Sequence, residues 1–331
     1  MTPAGKANRF LAAGNPRPVV QAALAAAGRS NATLALVLET EGSTYSRAGA
    51  MALFAGDEQH GWLSGGCLEP ELARRAAQAA AGARLGWIEI DTRDDEDLFS
   101  GSAVGCRGRL RIALLPLAAM PGVDVVLQAW LDAGVMLERA LAASGEVGLL
   151  AGDCSGHWNL PTDAPDWGKD RGRSHWSLPL AAQPEVLLLG AGPETPSLLR
   201  LLRDLGWRTT LAEPRARWRD AGALADAHED DVATVLDGSR RFAAVLVMHH
   251  AFERDRDALD RLAATQVPFV GLLGPPRRRD DLLGLLSVPQ REALAGRLRA
   301  PVGLDLGGQG PEAIALSIAA QLQQWRAAAG A

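Results

Sequence analysis

The residues with the most chemistry to offer sit at one corner of the chain: Gly61-Trp62-Leu63-Ser64-Gly65-Gly66-Cys67-Leu68-Glu69-Pro70-Glu71-Leu72. The run before it ends in Trp62 and Leu63. Ala73, Ala76, Ala77 and Ala80 after it recur at helical spacing, so Ser64 to Cys67 should form a strand-to-helix turn. Gly65 and Gly66 leave the backbone open to close approach, and a helix start favours negative charge, so an anion or a flat polar ligand could bind there. A thiol at the mouth of such a site is suited to bind a metal or to carry sulfur, which makes Cys67 the candidate contact. The structural alternative is a tight turn that needs glycine, followed by a small buried cysteine.

Two further segments could complete this site. The loop Glu41 to Gly49 follows the buried strand Thr33 to Thr40 and holds four hydroxyl side chains and one cation. If the strand Ala50 to Phe54 returns beside the turn, Ser43 and Arg47 face Gly65 and Gly66, and Arg47 becomes an anion contact; otherwise the loop is only a polar connection. Gly101 to Gly108 is a second glycine-rich stretch. Its Cys106 could share a pocket with Cys67, but neither cysteine has a second ligand two to four residues away, so the pair is weak as a zinc site. Five carboxylates in Asp91 to Asp97 lack the glycine and terminal glutamate of a calcium loop and read as a solvated face.

The second half opens as a dinucleotide fold. Strand Glu185 to Leu189 leads into Gly190-Ala191-Gly192-Pro193-Glu194-Thr195, and a second strand, Arg208 to Ala212, ends at Glu213. Gly190, Gly192 and Glu213 are therefore the candidate nucleotide contacts, with Glu213 placed to take ribose hydroxyls. Thr195 stands at the third glycine position, so nucleotide binding is open while the fold is not. Strands at Ala243 to Met248 and Phe269 to Leu273 alternate with helices at Glu253 to Ala264 and from Arg277, and a final helix runs to Trp325. His249 and His250 fall at a strand end, the edge where such sheets bind ligands.

Around these elements, Arg17 to Gly28 reads as a helix, Trp87 to Ile90 and Arg109 to Leu115 as strands, Val125 to Ala143 as a helix and Val147 to Leu150 as a strand. Asp153 to Gln183 is the least regular stretch and reads as one or two short strands around a loop, with His157, His175 and Cys154 as surface or packing residues. A domain boundary falls near Ala181-Ala182-Gln183-Pro184. The chain has 331 residues and a net charge of −5 with no long basic run, which argues against nucleic acid as the main partner. No apolar stretch is long enough to span a membrane, and Met1 to Asn8 lacks a secretory core, so the expected location is the cytoplasm. Three cysteines make a disulfide framework a poor reading.

Four segments together resemble the XdhC/CoxI family of molybdenum-hydroxylase accessory proteins: Glu39-Thr40-Glu41-Gly42-Ser43-Thr44 with Gly49-Ala50; Ser64-Gly65-Gly66-Cys67-Leu68-Glu69; Leu189-Gly190-Ala191-Gly192; and Gly303-Leu304-Asp305-Leu306-Gly307 with Pro311 to Ile318. Gly105-Cys106, His250 and Gly271 to Gly274 are weaker matches. The resemblance implies an α/β chain with an XdhC/CoxI domain over residues 1–182 and a Rossmann-like parallel-sheet domain over 183–331. It implies a homodimer that binds molybdenum cofactor and protects it while it gains its terminal sulfur. A cysteine desulfurase is the implied sulfur source, and the implied client is a xanthine dehydrogenase-like or carbon monoxide dehydrogenase-like apoenzyme. Ser43, Arg47, Gly65, Gly66, Cys67, Glu69 and Cys106 would then contact the cofactor, with Cys67 and Cys106 as molybdenum contacts. Two rivals stand beside this cofactor chaperone. One is an NAD(P)-binding oxidoreductase using Gly190, Gly192 and Glu213; the other is an interaction scaffold in which both glycine turns are empty.

Overall fold

The computed structural model describes residues 14–92, 107–167, 173–237 and 240–329. The expectations for Met1 to Asn8, for the acidic run from Arg93 and for Gly101 to Cys106 lie outside these residues. The chain forms two compact units that divide between Gln183 and Pro184.

The first unit runs α1 (Arg17–Ala25), β1 (Ala32–Gly42), β2 (Met51–Ala55), β3 (Glu58–His60), α2 (Glu69–Gly82), β4 (Gly86–Asp91), β5 (Gly108–Pro116), α3 (Val123–Ala133), β6 (Leu137–Ala142), β7 (Glu146–Ala151), β8 (Cys154–Asn159) and β9 (His175–Ser177). β1 to β5 make an antiparallel sheet in the order β3-β2-β1-β5-β4. The central strand β1 is apolar on both faces because both are covered. Leu34, Leu36 and Leu38 pack with Val19, Val20 and Ala23 of α1 and Val126 and Trp130 of α3. Ala35 and Val37 alternate to the other face and meet Leu72, Ala76 and Ala79 of α2. The Thr33 hydroxyl donates to the Ala76 carbonyl at 2.8 Å and pins α2 to the sheet. β6 to β9 make a second antiparallel sheet, in the order β8-β7-β6-β9.

One sequence expectation fails here. Val125 to Ala143 is not one helix: α3 stops at Ala133, Gly134 takes a left-handed conformation with φ 61°, and β6 follows. Leu137, Arg139 and Leu141 point inward with Glu138 and Ala140 outward, an alternation of period two that a helical reading overlooks. The buried Arg139 donates from Nε to the Leu178 carbonyl at 2.7 Å and from Nη1 to the Gly49 carbonyl at 3.0 Å.

The second unit runs β10 (Glu185–Leu189), α4 (Thr195–Asp204), β11 (Arg208–Ala212), α5 (Arg219–Gly222), β12 (Ala227–Glu229), α6 (Val232–Asp237), β13 (Ala244–Val247), α7 (Phe252–Ala263), β14 (Val270–Leu272), α8 (Pro276–Gly284), α9 (Val288–Ala295), β15 (Leu298–Arg299) and α10 (Pro311–Ala329). The six strands are parallel in the order β12-β11-β10-β13-β14-β15. That is the doubly wound order of dinucleotide-binding sheets. β10 is buried from Val186 to Leu189: Val186 and Leu188 face α4 and α10, while Leu187 and Leu189 face α7. Its apolar run has no polar face because helices cover both sides of the sheet. Among the described residues no helix is long and apolar enough to cross a membrane.

Candidate functional site

The turn between Leu63 and α2 is built around one buried acid. Glu69, the first residue of α2, turns its carboxylate back beneath the turn. Its Oε1 accepts from the backbone N–H of Leu63 at 3.2 Å and of Ser64 at 2.8 Å, and its Oε2 accepts from the Ser64 hydroxyl. The Ser64 oxygen in turn accepts from the N–H of Gly66 at 3.2 Å and of Leu68 at 3.1 Å, and the Cys67 sulfur lies 3.7 Å from it. From behind, the Ser46 hydroxyl donates to the Leu63 carbonyl at 2.9 Å. Burial opposes the charge on Glu69, but the bonds from Ser64 and from backbone N–H groups outweigh it and hold the carboxyl below its ordinary range.

This internal bracing leaves the outer side of the turn unobstructed. A Cβ added at Gly65 or Gly66 would meet nothing within 4 Å, and Gly66 has φ +105°, a conformation that suits glycine. The N–H groups of Gly65 and Cys67 have no partner among the described residues. Cys67 is exposed. Two free amides and a thiol therefore stand together at the start of a fourteen-residue helix. Beneath them lies a cavity of about 30 Å³, lined by Ser43, Tyr45, Ser64, Cys67, Thr92 and Gly108 among others. That is room for one water. Anything larger must rest on the outer, solvent-facing side of the two glycines.

Of the other expected contacts, Ser43 lines this cavity and Arg47 does not. Arg47 is exposed, and its Nη1 donates to the Thr44 carbonyl at 2.6 Å and the Thr44 hydroxyl at 2.8 Å within its own loop. A short loop with free carbonyls offered the guanidinium nearer acceptors than the turn did. Glu69 supports the turn from within, both of its oxygens being engaged. Cys106 lies outside the described residues. Among those residues no three His, Cys, Asp or Glu groups are placed to share a metal ion.

Sequence reading missed Gly108, Tyr45 and Thr92 at this site. Gly108 had a signal in the glycine-rich stretch before it: a Cβ there would lie 2.5 Å from both the Ser43 carbonyl oxygen and the Thr44 methyl, so only glycine lets the Ser43 loop close over β5. Glu39, singled out for its motif, has a structural task. It accepts from Arg111 Nη1 at 3.1 Å and from Trp176 Nε1 at 2.7 Å, while Arg111 Nε donates to Glu89 at 2.6 Å.

The glycine turn of the second unit is built in the opposite sense. Gly190, with φ +91°, lies under the His249 backbone, and a Cβ there would fall 2.5 Å from His249 Cα. A Cβ at Gly192 would fall 2.5 Å from His250 Nε2 and 2.6 Å from Glu194 Oε1. The amides that would face a phosphate are already used: Ala191 N–H donates to Glu213 Oε2 at 2.8 Å and Gly192 N–H to the Thr195 hydroxyl at 2.9 Å. Glu213 is buried, and its other oxygen accepts from Arg215 N at 2.8 Å and Arg215 Nε at 2.7 Å. Burial opposes its charge, but Arg215 and these N–H groups hold the Glu213 carboxyl below its ordinary range. Arg215 Nη2 also donates to the Ala191 carbonyl at 3.0 Å, which locks the turn. Glu194 is buried at the start of α4, where a phosphate would sit, and pairs with His250 Nε2 at 3.2 Å. That contact raises the His250 pKa above its ordinary value. His249 is buried against Asp255, Nδ1 to Oδ1 at 3.0 Å, and Asp255 Oδ2 accepts from Arg278 at 2.7 Å.

An antiparallel unit with an open, thiol-bearing glycine turn, followed by a doubly wound parallel unit, defines a two-part α/β protein. Residues 24–90 match the model described as the XdhC and CoxI family, and residues 186–322 match that of the XdhC Rossmann domain. The two matches together span more than half of the chain, which belongs to the XdhC and CoxI family. It is 26% identical over 318 residues to a Bacillus subtilis (strain 168) protein named as a probable xanthine dehydrogenase component, covering 90% of this chain and 94% of the relative. The crystal structure of a xanthine dehydrogenase from Bacillus halodurans is similar with a TM-score of 0.76 and 27% identity, covering 92% of this chain and 94% of that one.

Proposed function

We propose that this chain is an accessory protein to a xanthine dehydrogenase-like molybdenum hydroxylase, and that it receives molybdenum cofactor at the Ser64–Cys67 turn, holds it during sulfuration and passes it to the apoenzyme. The observation that carries the reading is the turn itself: two glycines facing open space, two amides without a partner among the described residues, and an exposed sulfur. Family membership and the names of the two Bacillus relatives support the link to xanthine dehydrogenase. The cofactor is cargo here, and its phosphate ester and dithiolene-bound metal ask for the two things the turn offers. The N–H groups of Gly65 and Cys67 would hold the phosphate or another anionic edge, and the Cys67 sulfur would meet the metal. Ser64 and Glu69 would keep those groups aimed outward without touching the cargo. A cysteine desulfurase as sulfur donor, a homodimer and a cytoplasmic setting belong to the same proposal.

The rival oxidoreductase reading draws support from the strand order of the second unit. Its phosphate amides are satisfied internally and a buried carboxylate holds the anion position, which favours the accessory reading. The test is activation of a molybdenum-free xanthine dehydrogenase apoenzyme by this chain preloaded with sulfurated cofactor. The parent should restore activity, and Cys67→Ala should restore less than about a tenth of it, the order of loss when one direct contact of about 1.4 kcal/mol is removed. Equal restoration by both would remove Cys67 from the role.

A further inference from the structure

The first unit has an unfinished sheet edge. β4 closes one side of the five-stranded sheet and pairs with β5 alone among the strands. Along an antiparallel strand the main-chain groups face the partner at every second residue. The Thr92 N–H donates to the Gly108 carbonyl at 2.9 Å, one step beyond the Asp91 and Arg109 pair, so Ile90, Ile88 and Gly86 also face β5. Leu85, Trp87 and Glu89 face outward. At Leu85 the outer side is taken: its N–H donates to the Pro161 carbonyl at 3.0 Å, and its carbonyl accepts from the Thr162 hydroxyl at 2.8 Å. At Trp87 and Glu89 the outward N–H and C=O groups have no partner among the described residues.

Pro161 and Thr162 thus begin a sixth strand that the chain does not continue. Beyond them an open cavity of about 540 Å³ separates Leu85 to Glu89 from Asp163 to Trp167, with Arg75 of α2 on its rim. Trp167 is buried in the outer wall, and its Nε1 has no partner among the described residues. Nothing in β4 guards this edge: Gly86 to Asp91 includes no proline or lysine and pairs with β5 without a register shift. Folded proteins ordinarily blunt such an edge, because a row of unpaired main-chain groups is a template for another strand.

The cavity also has a charge preference. Asp163 and Asp166 bring two carboxylates to the outer wall. Asp163 pairs with Arg84 at 3.1 Å, but its side chain is 95% exposed and stays open to a second cation. The one lining cation, Arg75, donates from Nε to Glu71 at 2.9 Å, away from the strand edge.

We propose that the β4 edge docks an extended segment of a partner protein, which pairs its main chain with Trp87 and Glu89 and sets a lysine or arginine against Asp163 and Asp166. This is strand addition: the ladder supplies affinity and the basic side chain supplies selectivity. The inference stands on the sheet of the first unit alone and does not depend on the role of Cys67.

The test uses a fluorescein-labelled, end-capped peptide of sequence Thr-Val-Lys-Val-Thr, titrated with the full chain and followed by fluorescence anisotropy. It should bind one-to-one. A single N-methyl group should weaken binding at least tenfold either at the lysine alone or at the two valines alone, since only every second N–H faces β4. Replacing the lysine by glutamate should also cost at least tenfold. The double variant Asp163→Lys, Asp166→Lys, changed only at exposed side chains, should reverse that preference. Hydrogen exchange at the Trp87 and Glu89 amides should slow when the peptide is added. No binding by the parent, equal loss at all three N-methyl positions, or an unchanged preference in the double variant would each overturn the proposal. Protection of the two amides that rises with protein concentration before any peptide is added would assign the edge to a second copy of this chain and overturn it as well.

Discussion

The two glycine turns of this chain look alike as strings and differ as structures. Ser64–Cys67 and Gly190–Gly192 each join an apolar run to a helix, and each has an acid near it. At the first, the glycines look into open space and the acid, Glu69, braces the turn from below. At the second, the glycines make room for the protein's own His249, His250 and Glu194, and the acid, Glu213, takes the amide that a ligand would need. A glycine turn before a helix thus marks either close packing, as at Gly190 and Gly192, or an open backbone, as at Gly65 and Gly66, and only the structure says which.

The comparison can be broken by substitution, and the largest effect should come from the closed turn. Gly190→Ala puts a Cβ 2.5 Å from His249 Cα at a positive φ. It should destabilise the second unit by roughly 3 kcal/mol, from overpacking and backbone strain combined, as read by urea denaturation. A cost below about 0.5 kcal/mol would show that this turn is not closed. Glu69→Ala should come next, at roughly 2 kcal/mol, because it strands two buried N–H donors and the Ser64 hydroxyl. Circular dichroism should still show a folded chain, with only the first unit melting earlier.

Smaller effects separate the two glycines of the open turn. Gly66→Ala should cost about 1 to 2 kcal/mol for its left-handed backbone, whereas Gly65→Ala should stay within about 0.5 kcal/mol. Equal costs would mean that Gly65 is also held against a neighbour. The mildest test is acid. The folded-state pKa of Glu213 lies below its ordinary value, so its contribution is complete above the usual carboxylate range, near about pH 4.3, and is lost as the pH falls through the lowered value. The melting temperature of the parent should therefore drop more steeply on acidification than that of Glu213→Gln; parallel curves would contradict the pairing with Arg215.

Much of the fold was legible in the chain because apolar runs and helix-start residues are local signals. Glu185 to Leu189 and Arg208 to Ala212 are strands over the residues their composition marks. β12 and β15 were not legible: they hold three and two residues, and only pairing with a neighbouring strand makes them strands. β6 was lost for a different reason, since Leu137-Glu138-Arg139-Ala140-Leu141 carries good helix formers whose alternation becomes decisive only once Gly134 has ended the helix. At the sites, Cys67 and its glycines could be read from spacing. The direction in which Glu69, Arg47 and Glu213 turn could not, because a side chain follows its nearest unpaired partner, and those partners, Leu63 N–H, the Thr44 carbonyl and Arg215, are identified only by the folded backbone.

The most direct test of the open turn is equilibrium binding of anaerobically prepared molybdenum cofactor to the parent, to Cys67→Ala and to Gly190→Ala at a temperature where all three are folded. Binding that is kept in Gly190→Ala and weakened at least tenfold in Cys67→Ala is the predicted result. Binding that survives in Cys67→Ala and fails in Gly190→Ala would place the cargo on the second unit and contradict the account.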